Sequence, residues 1–145
     1  MIRIICLGKI KEKALSDIIE DYQKRISKYH KIEIIELKDN PSIDIEEKEV
    51  IKYINPKDYN IILDIKGEKT SSPSLARLIN ETFNNYGSIN FFIGSSNGLS
   101  DEIKNKANIL ISFGDITMPH GLFRAVLLEQ IYRAFKINNN ETYHK

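Results

Sequence analysis

The chain has 145 residues and one cysteine, 41% of its residues are hydrophobic and 28% are charged, and its formal net charge is +1. This length suits a single domain over residues 1–145 with a substantial core, and the near-neutral charge argues against a strong nonspecific nucleic-acid binder. No stretch approaches the roughly 20 apolar residues of a membrane-spanning helix, and no signal-peptide pattern opens the chain, so we expect a cytoplasmic location.

Five apolar runs predict strands, and the segments between them carry apolar residues at helical spacing. In chain order the prediction is strand Ile2–Leu7, helix Asp17–Tyr29, strand Ile32–Leu37, helix Ile45–Ile54, strand Asn60–Ile65, a helix from an N-cap at Ser72 to about Tyr86, strand Ile89–Ile93, a helix opened by Ser100, strand Ile109–Ser112 and helix Leu122–Ile137. The alternating Ile and Glu of Ile32–Leu37 place that strand nearer a sheet edge. Strands that alternate with helices predict an α/β fold with a mainly parallel sheet flanked by helices.

The lone cysteine and the uneven charge are the next observations. Cys6 lies in an apolar run without a disulfide partner and is predicted to be a buried structural thiol. Residues 1–31 carry eight Lys or Arg against four acids, whereas residues 32–64 carry nine acids against four Lys. The basic N-terminal third could contact phosphate, although ordinary solvated lysines explain it equally well.

Three loops that leave the carboxyl ends of late strands form the candidate binding site, because ligands of parallel α/β sheets bind beyond those ends. The loop Gly94–Ser100 lacks the Lys-Ser/Thr pair of a phosphate loop and could be an ordinary strand-to-helix turn. The loop Phe113–Met118 offers main-chain hydrogen-bonding groups that suit an uncharged planar ring, such as the adenine of S-adenosylmethionine. A simple reversal of the chain is the alternative for this loop.

The terminal helix and the tail carry the residues with the most chemistry. The helix Leu122–Ile137 is apolar over well over half of its circumference, which predicts burial between its own sheet and a second subunit. Arg124 lies outside the apolar pattern, four residues after His120, and has either a surface salt bridge or a role in the site. Tyr143 and His144 are capable of proton chemistry, although a chain end is usually poorly ordered. No residues have metal-ligand spacing, so no metal is expected.

Taken together, these segments resemble a known family. The matching pieces are Ile5-Cys6-Leu7-Gly8-Lys9, Leu63-Asp64-Ile65-Lys66-Gly67, Phe92-Ile93-Gly94-Ser95-Ser96-Asn97-Gly98-Leu99, Thr117-Met118-Pro119-His120, the helix segment from Arg124 to Ala134, and Tyr143-His144-Lys145. They resemble the RlmH family, SPOUT-class methyltransferases that act on a pseudouridine of large-subunit ribosomal RNA. The likeness covers essentially the whole chain, although the family usually has two glycines where this chain has Gly94 and Ser95.

The resemblance implies a SPOUT-type fold with a C-terminal trefoil knot, a homodimer through the C-terminal helix, and S-adenosylmethionine as cofactor. It implies methylation of N3 of a pseudouridine in 23S ribosomal RNA within the assembled 70S ribosome. Carried over by position, the cofactor-binding residues are Leu63, Gly94, Phe113, Gly114, Asp115, Ile116, Thr117 and Met118. We predict that Arg124 holds a carbonyl or phosphate of the nucleotide, and that Tyr143 and His144 orient or deprotonate the base.

Three other functions remain open from the sequence. The chain could be a ribosome-associated RNA-binding protein that has the fold without catalysis, and cofactor binding without turnover would favour that function. It could be a methyltransferase of the same class that acts on another RNA, such as a tRNA. A flavodoxin-like nucleotide-binding module is disfavoured because no phosphate loop follows the first strand.

Overall fold

The computed structural model describes residues 1–95 and 98–145. Its elements are β1 (Ile2–Leu7), α1 (Lys13–Ser27), β2 (Ile32–Leu37), α2 (Ile43–Ile51), β3 (Tyr59–Lys69), α3 (Ser72–Phe83), β4 (Ile89–Ile93), α4 (Asp101–Lys104), β5 (Ile109–Ser112) and α5 (His120–Asn138). Every element predicted from the sequence is present in this order, and the differences lie in where the elements begin and end.

The five strands form one sheet in the order β2-β1-β4-β3-β5, and every neighbouring pair is parallel. The predictions of a parallel α/β sheet and of an edge position for β2 are therefore confirmed. Strands β4, β3 and β5 are neighbours, so their carboxyl ends meet at one part of the sheet edge. The three candidate loops consequently converge in space although they are far apart in sequence.

Helices cover both faces of the sheet. The side chains of β1 alternate between the two faces, so this strand contributes apolar residues to both. Ile4 and Cys6 pack on the face that carries α1, α3 and α5. Ile5 and Leu7 pack on the other face, against α2 and α4. Cys6 is buried, and its burial raises the pKa of the thiol to about 11. The prediction of a buried structural thiol is confirmed.

Strand β3 is four residues longer at its carboxyl end than the predicted Asn60–Ile65. It pairs with Ile111 of β5 twice, first through Leu63 and again through Glu68, so an irregularity lies between the two pairings. Gly67 permits the close approach, since a Cβ there would lie 2.7 Å from the carbonyl carbon of Leu110. This extension is polar, so the search for apolar runs did not predict it.

Helix ends account for the other differences. Helix α1 begins at Lys13, four residues before the predicted start at Asp17. The apolar pattern did not indicate this first turn, because the turn is mostly exposed and has no apolar repeat. Helix α2 ends at Ile51, where the N–H groups of Tyr53 and Ile54 turn back to Val50 and Ile51 at 3.0 and 3.1 Å. Helix α5 begins two residues before the predicted Leu122, directly after Pro119.

The N-cap of α3 is Ser71, so the prediction of Ser72 was wrong by one residue. The Ser71 hydroxyl accepts a hydrogen bond from the Ser74 N–H at 3.2 Å, while Ser72 occupies the first helical position and Pro73 follows. The helix ends at Phe83, three residues before the predicted end. Across the described ranges, no helix has both the length and the apolar character needed to cross a membrane.

Candidate functional site

A cavity of about 490 Å³ lies where the three late loops converge, and we call it the first cavity. Its walls come from the carboxyl ends of β3, β4 and β5 and from the start of α5. The lining includes seven of the eight predicted cofactor-binding residues, namely Leu63, Gly94, Phe113, Gly114, Ile116, Thr117 and Met118. The structure therefore brings these residues together around one concave space of the size typical of small-molecule sites.

Asp115 is the predicted residue that does not line the first cavity. Its side chain is exposed and forms an ion pair with Lys69 at 3.0 Å, on the extension of β3. This exposed pair contributes little stability. Asp115 can therefore contribute to ligand binding only through its main chain or by holding the loop in place.

The loop after β5 forms part of the lining of the first cavity. The Ser112 hydroxyl, which is buried, accepts the Gly114 N–H at 3.1 Å and donates to the Gly114 carbonyl at 3.0 Å. Gly114 has φ +123°, a conformation that strongly favours glycine. Within residues 1–95 and 98–145, the N–H groups of Ile116, Thr117 and Met118 have no hydrogen-bond partner. These donors are available to a ligand.

Gly94 is required by the tight packing of the loop after β4. A Cβ on Gly94 would lie 3.1 Å from both the carbonyl carbon of Gly98 and Cγ of Leu99. The Gly98 N–H also donates to the Ser95 carbonyl at 2.8 Å, which closes the loop. Ser96 and Asn97, which belong to the motif quoted above, lie outside the described residues.

Asp64 is the one acidic side chain among the described residues that line the first cavity. It is anchored by Lys104 of α4 at 2.6 Å and by the Lys66 N–H at 2.8 Å. Burial raises the pKa of Asp64, but these two hydrogen bonds together with the positive charges of Lys104 and Lys66 lower it overall. The described lining contains no Lys or Arg, so the first cavity does not offer the charge that a phosphate would need.

A second cavity of about 390 Å³ lies beside the first, beyond the carboxyl ends of β1 and β2. Ser95 and His120 line both cavities, so the two spaces adjoin. The second cavity is more polar, and its lining includes Lys9, Asp39, Glu46 and Arg124. The site therefore has an apolar compartment with main-chain donors and an adjoining compartment with charged side chains.

Arg124 is buried beneath the second cavity with 3% of its surface exposed. Its Nη1 donates to Glu36 Oε2 at 2.6 Å, and its Nη2 donates to the Gly8 carbonyl at 3.0 Å. Its Nε is buried without a partner among the described residues. Arg124 thus joins α5 to the ends of β1 and β2, an arrangement in which it positions the wall of the second cavity.

Tyr143 and His144 lie elsewhere, against the later half of α5. The Tyr143 hydroxyl donates to Glu129 at 3.1 Å, and His144 Nδ1 lies 3.2 Å from Nη1 of Arg133. Arg133 follows His120 by thirteen residues in α5, which corresponds to about 20 Å along the helix axis. The tail of a chain is therefore remote from that chain's own cavities.

Burial and hydrogen bonding both act on Tyr143 in the tail. Burial, followed by hydrogen bonds with Tyr22 and Glu129, raises the pKa of Tyr143 to about 12. Tyr143 therefore keeps its proton at neutral pH and acts as a donor. His144 Nδ1 lies within hydrogen-bond distance of the Arg133 guanidinium, which can only donate.

Several site residues escaped the sequence analysis because their partners are distant in the chain. Glu36 and Arg124 are 88 residues apart, and nothing in their local sequence indicates the pair. Glu46 lies in a segment interpreted only as an acidic helix. No group of three or more His, Cys, Asp or Glu residues that could hold a metal is found in the two described ranges.

Comparison with known proteins identifies the family. Residues 1–144 match the family model described as "Predicted SPOUT methyltransferase". The chain is 46% identical over 157 aligned positions to a protein of Oenococcus oeni named ribosomal RNA large subunit methyltransferase H, covering 99% of this chain and 98% of that protein. It is 44% identical over 154 positions to a protein of the same name from Fusobacterium nucleatum subsp. nucleatum, covering 99% of each.

A solved structure supports the fold independently of close sequence identity. The structure of a probable methylase family protein from Haemophilus influenzae Rd KW20 superposes with a TM-score of 0.59 at 12% identity, covering 96% of this chain and 66% of that chain. At this identity the superposition supports the fold alone. Together with the match along almost the whole sequence, it leads to one conclusion: the chain belongs to the SPOUT methyltransferase family.

Proposed function

We propose that the chain transfers a methyl group from S-adenosylmethionine to N3 of a pseudouridine in 23S ribosomal RNA, within the assembled ribosome. The observation that carries the proposal is the pairing of two adjoining cavities, one largely apolar without Lys or Arg in its described lining and one with charged side chains. The relatives named ribosomal RNA large subunit methyltransferase H support the choice of substrate RNA.

The first cavity fits S-adenosylmethionine in its chemistry. When bound, this cofactor supplies an activated methyl group on a positively charged sulfur. The main-chain donors of Ile116, Thr117 and Met118 suit the edge of an adenine, and the apolar walls suit its faces. The absence of Lys and Arg from the described lining favours a ligand without phosphates.

The chain's own residues must prepare the target nitrogen. N3 of the base is flanked by two carbonyls, and it is a poor nucleophile until its proton is removed. His120 lines both cavities, and we assign it as the acceptor of that proton. Arg124 and its partner Glu36 would fix the wall against which the base is aligned, because correct positioning supplies much of the rate in such a transfer.

The predicted roles of Tyr143 and His144 require a second copy of the chain. These two residues lie about 20 Å along α5 from the cavities of the same chain. A homodimer through α5 would bring the tail of one chain toward the cavities of its partner. Leu122 is 43% exposed and Ile116 is 82% exposed, which leaves apolar surface beside the cavities for such contact. Such a dimer would place the tail beside a cavity and would bury these two side chains.

Recognition of a whole ribosome fits the charge of this chain. A net charge of +1 gives a weak general attraction to RNA, so affinity must come from shape and from local contacts. Lys9 lines the second cavity, and Lys11 and Lys13 follow it, so these lysines would contact phosphate beside the target. A cytoplasmic location follows from this substrate.

Transfer of labelled methyl from S-adenosylmethionine tests the proposal. Whole ribosomes, free large subunits, naked ribosomal RNA and total tRNA would be prepared from cells that lack this enzyme. We expect label in large-subunit RNA, chiefly with whole ribosomes. Because an N3 methyl blocks the pairing edge, reverse transcription should stop at the modified base.

The other outcomes identify the alternatives. Label in tRNA alone would indicate a methyltransferase of the same class with another target. Cofactor binding without label in any RNA would indicate a binding protein that has the fold without catalysis.

A further inference from the structure

The second cavity contains a buried carboxylate that the proposed methyl transfer does not use. Glu46 of α2 is 6% exposed and lines this cavity. Its Oε2 accepts the Asn40 N–H at 3.1 Å, and its Oε1 lies 3.5 Å from the Ser95 hydroxyl. Within the described part of the chain, no Lys, Arg or His forms an ion pair with Glu46. Burying an unpaired carboxylate is costly unless other donors satisfy it.

Glu46 has the capacity to accept a further hydrogen bond. A carboxylate offers about four acceptor positions, and the two contacts of Glu46, one of them long, leave room for another donor. The helix and the Asn40 N–H hold the carboxylate in place before any ligand arrives. A ligand with an N–H group in the second cavity would therefore meet an acceptor that is already oriented.

The position of the second cavity indicates which ligand it takes. It adjoins the first cavity through Ser95 and His120, and its volume of about 390 Å³ is in the range of small-molecule sites. Arg124 also lines this cavity, and its buried Nε has no partner among the described residues. The space is thus suited to a small polar ring that must lie beside the methyl donor.

We propose that the second cavity receives the target base and that Glu46 selects pseudouridine over uridine, an inference that rests on the proposed function above. Pseudouridine is joined to its ribose through carbon, so its N1 carries a proton, whereas N1 of uridine forms the glycosidic bond. Glu46 accepts a hydrogen bond from this N1–H. A uridine in the same position leaves the buried carboxylate without that donor, which penalises it strongly.

The test uses two preparations of ribosomes that differ in the target base. One comes from cells that lack this enzyme, and the other from cells that also lack the pseudouridine synthase for that position and therefore carry uridine. The ratio of kcat/KM for the two substrates is measured for the natural chain, Glu46→Gln and Glu46→Asp. The matched control is Glu49→Gln, because Glu49 is on the same helix but pairs with Lys52 at the surface.

We expect Glu46→Gln to lose far more activity on pseudouridine than on uridine. The preference should fall about tenfold, because the amide oxygen of Gln still accepts the hydrogen bond but without the charge that strengthens it. Glu46→Asp, with its carboxylate withdrawn by one methylene, should show a smaller fall, and Glu49→Gln should keep the natural ratio. Affinity for S-adenosylmethionine should be unchanged in all three.

A preference that stays at the natural value in Glu46→Gln, or an equal loss on both substrates, would overturn the inference. If Glu46→Gln does not fold, a natural ratio in Glu46→Asp would overturn it. Failure of the natural chain to methylate either ribosome would instead refute the proposed function.

Discussion

At the scale of single residues, the main finding is that charged side chains near the site are tied to distant parts of the chain. Arg124 reaches Glu36 and the Gly8 carbonyl, and Asp64 reaches Lys104. Each pair joins elements whose relative position shapes a cavity wall. A mutation at such a residue therefore changes geometry as well as charge, and the two effects must be separated by comparing both partners.

Arg124→Ala should lower turnover at least about a hundredfold and destabilise the fold by about 1–3 kcal/mol, because Glu36 and the Gly8 carbonyl lose their donor. If Arg124 acts by positioning, Glu36→Gln should reproduce part of the defect, and the double variant should be little worse than Arg124→Ala alone. Turnover and thermal unfolding are measured for each variant, with the exposed Arg77→Ala as control.

Additive losses of turnover in the Arg124 and Glu36 variants would contradict a positioning role. They would favour the original prediction that Arg124 itself contacts a carbonyl or phosphate of the nucleotide.

At the scale of elements, the site depends on loops whose close contacts leave little room for change. The loop after β4 brings Gly94 against Gly98 and Leu99, and the loop after β5 is held by the Ser112 hydroxyl. Both loops follow strands that are fixed in the sheet, so Gly94 and Gly114 are held close to the strand ends. We expect cofactor affinity to be sensitive to small shifts of these loops.

Gly94→Ala should weaken binding of S-adenosylmethionine about tenfold, because the new Cβ would lie 3.1 Å from the Gly98 carbonyl carbon and from Leu99 Cγ and would displace the loop. Gly87→Ala is the matched control, since a Cβ at Gly87 meets nothing within 4 Å. Isothermal titration calorimetry gives the affinities. Unchanged cofactor binding by Gly94→Ala would show that the loop does not contribute to the cofactor site.

The sequence predicted the elements well where apolar residues repeat and poorly where they do not. The strands Ile2–Leu7, Ile32–Leu37, Ile89–Ile93 and Ile109–Ser112 have their predicted bounds, because each is a short segment with an apolar or alternating pattern. The extension of β3 past Ile65 is polar and depends on Gly67 approaching Leu110, a contact between distant segments. Such tertiary contacts override local preference.

The position of the site could be predicted from the sequence, but most of its side-chain contacts could not. The loops after β3, β4 and β5 could be assigned to one edge because parallel strands bring their carboxyl ends together. The ion pairs of Arg124 and Asp64, and the burial of Glu46, depend on packing between segments that have no local signal for one another. The trefoil knot stays a prediction, since the order of elements does not determine how the chain threads.

At the scale of the whole molecule, the proposed dimer decides whether the site is complete. Helix α5 packs between α1 and α3 on the sheet, yet Leu122 near its start remains 43% exposed. Exposed apolar surface beside a ligand cavity is a common feature of interaction sites. A second copy on this surface would bury it and would bring a tail with Tyr143 and His144 toward the cavities.

Leu122→Asp should convert the dimer into monomers, because the carboxylate would be buried without a partner in the interface. Light scattering after size-exclusion chromatography measures the mass. We expect methyl transfer to be lost while the affinity for S-adenosylmethionine stays within about threefold, a change of less than 1 kcal/mol. Ile45→Asp, at a residue 49% exposed on α2, is the control and should remain dimeric. A dimeric, active Leu122→Asp would place the interface elsewhere.

The central place of α5 also has a consequence for biosynthesis. Its buried side chains Leu127, Leu128 and Ile131 complete the core on one face of the sheet, and its neighbours α1 and α3 are made long before it. A nascent chain that has emerged only to Pro119 therefore carries a sheet whose apolar face lacks its central cover. Native packing must wait until α5 leaves the exit tunnel, so this protein depends on late, long-range closure and on protection from aggregation until then.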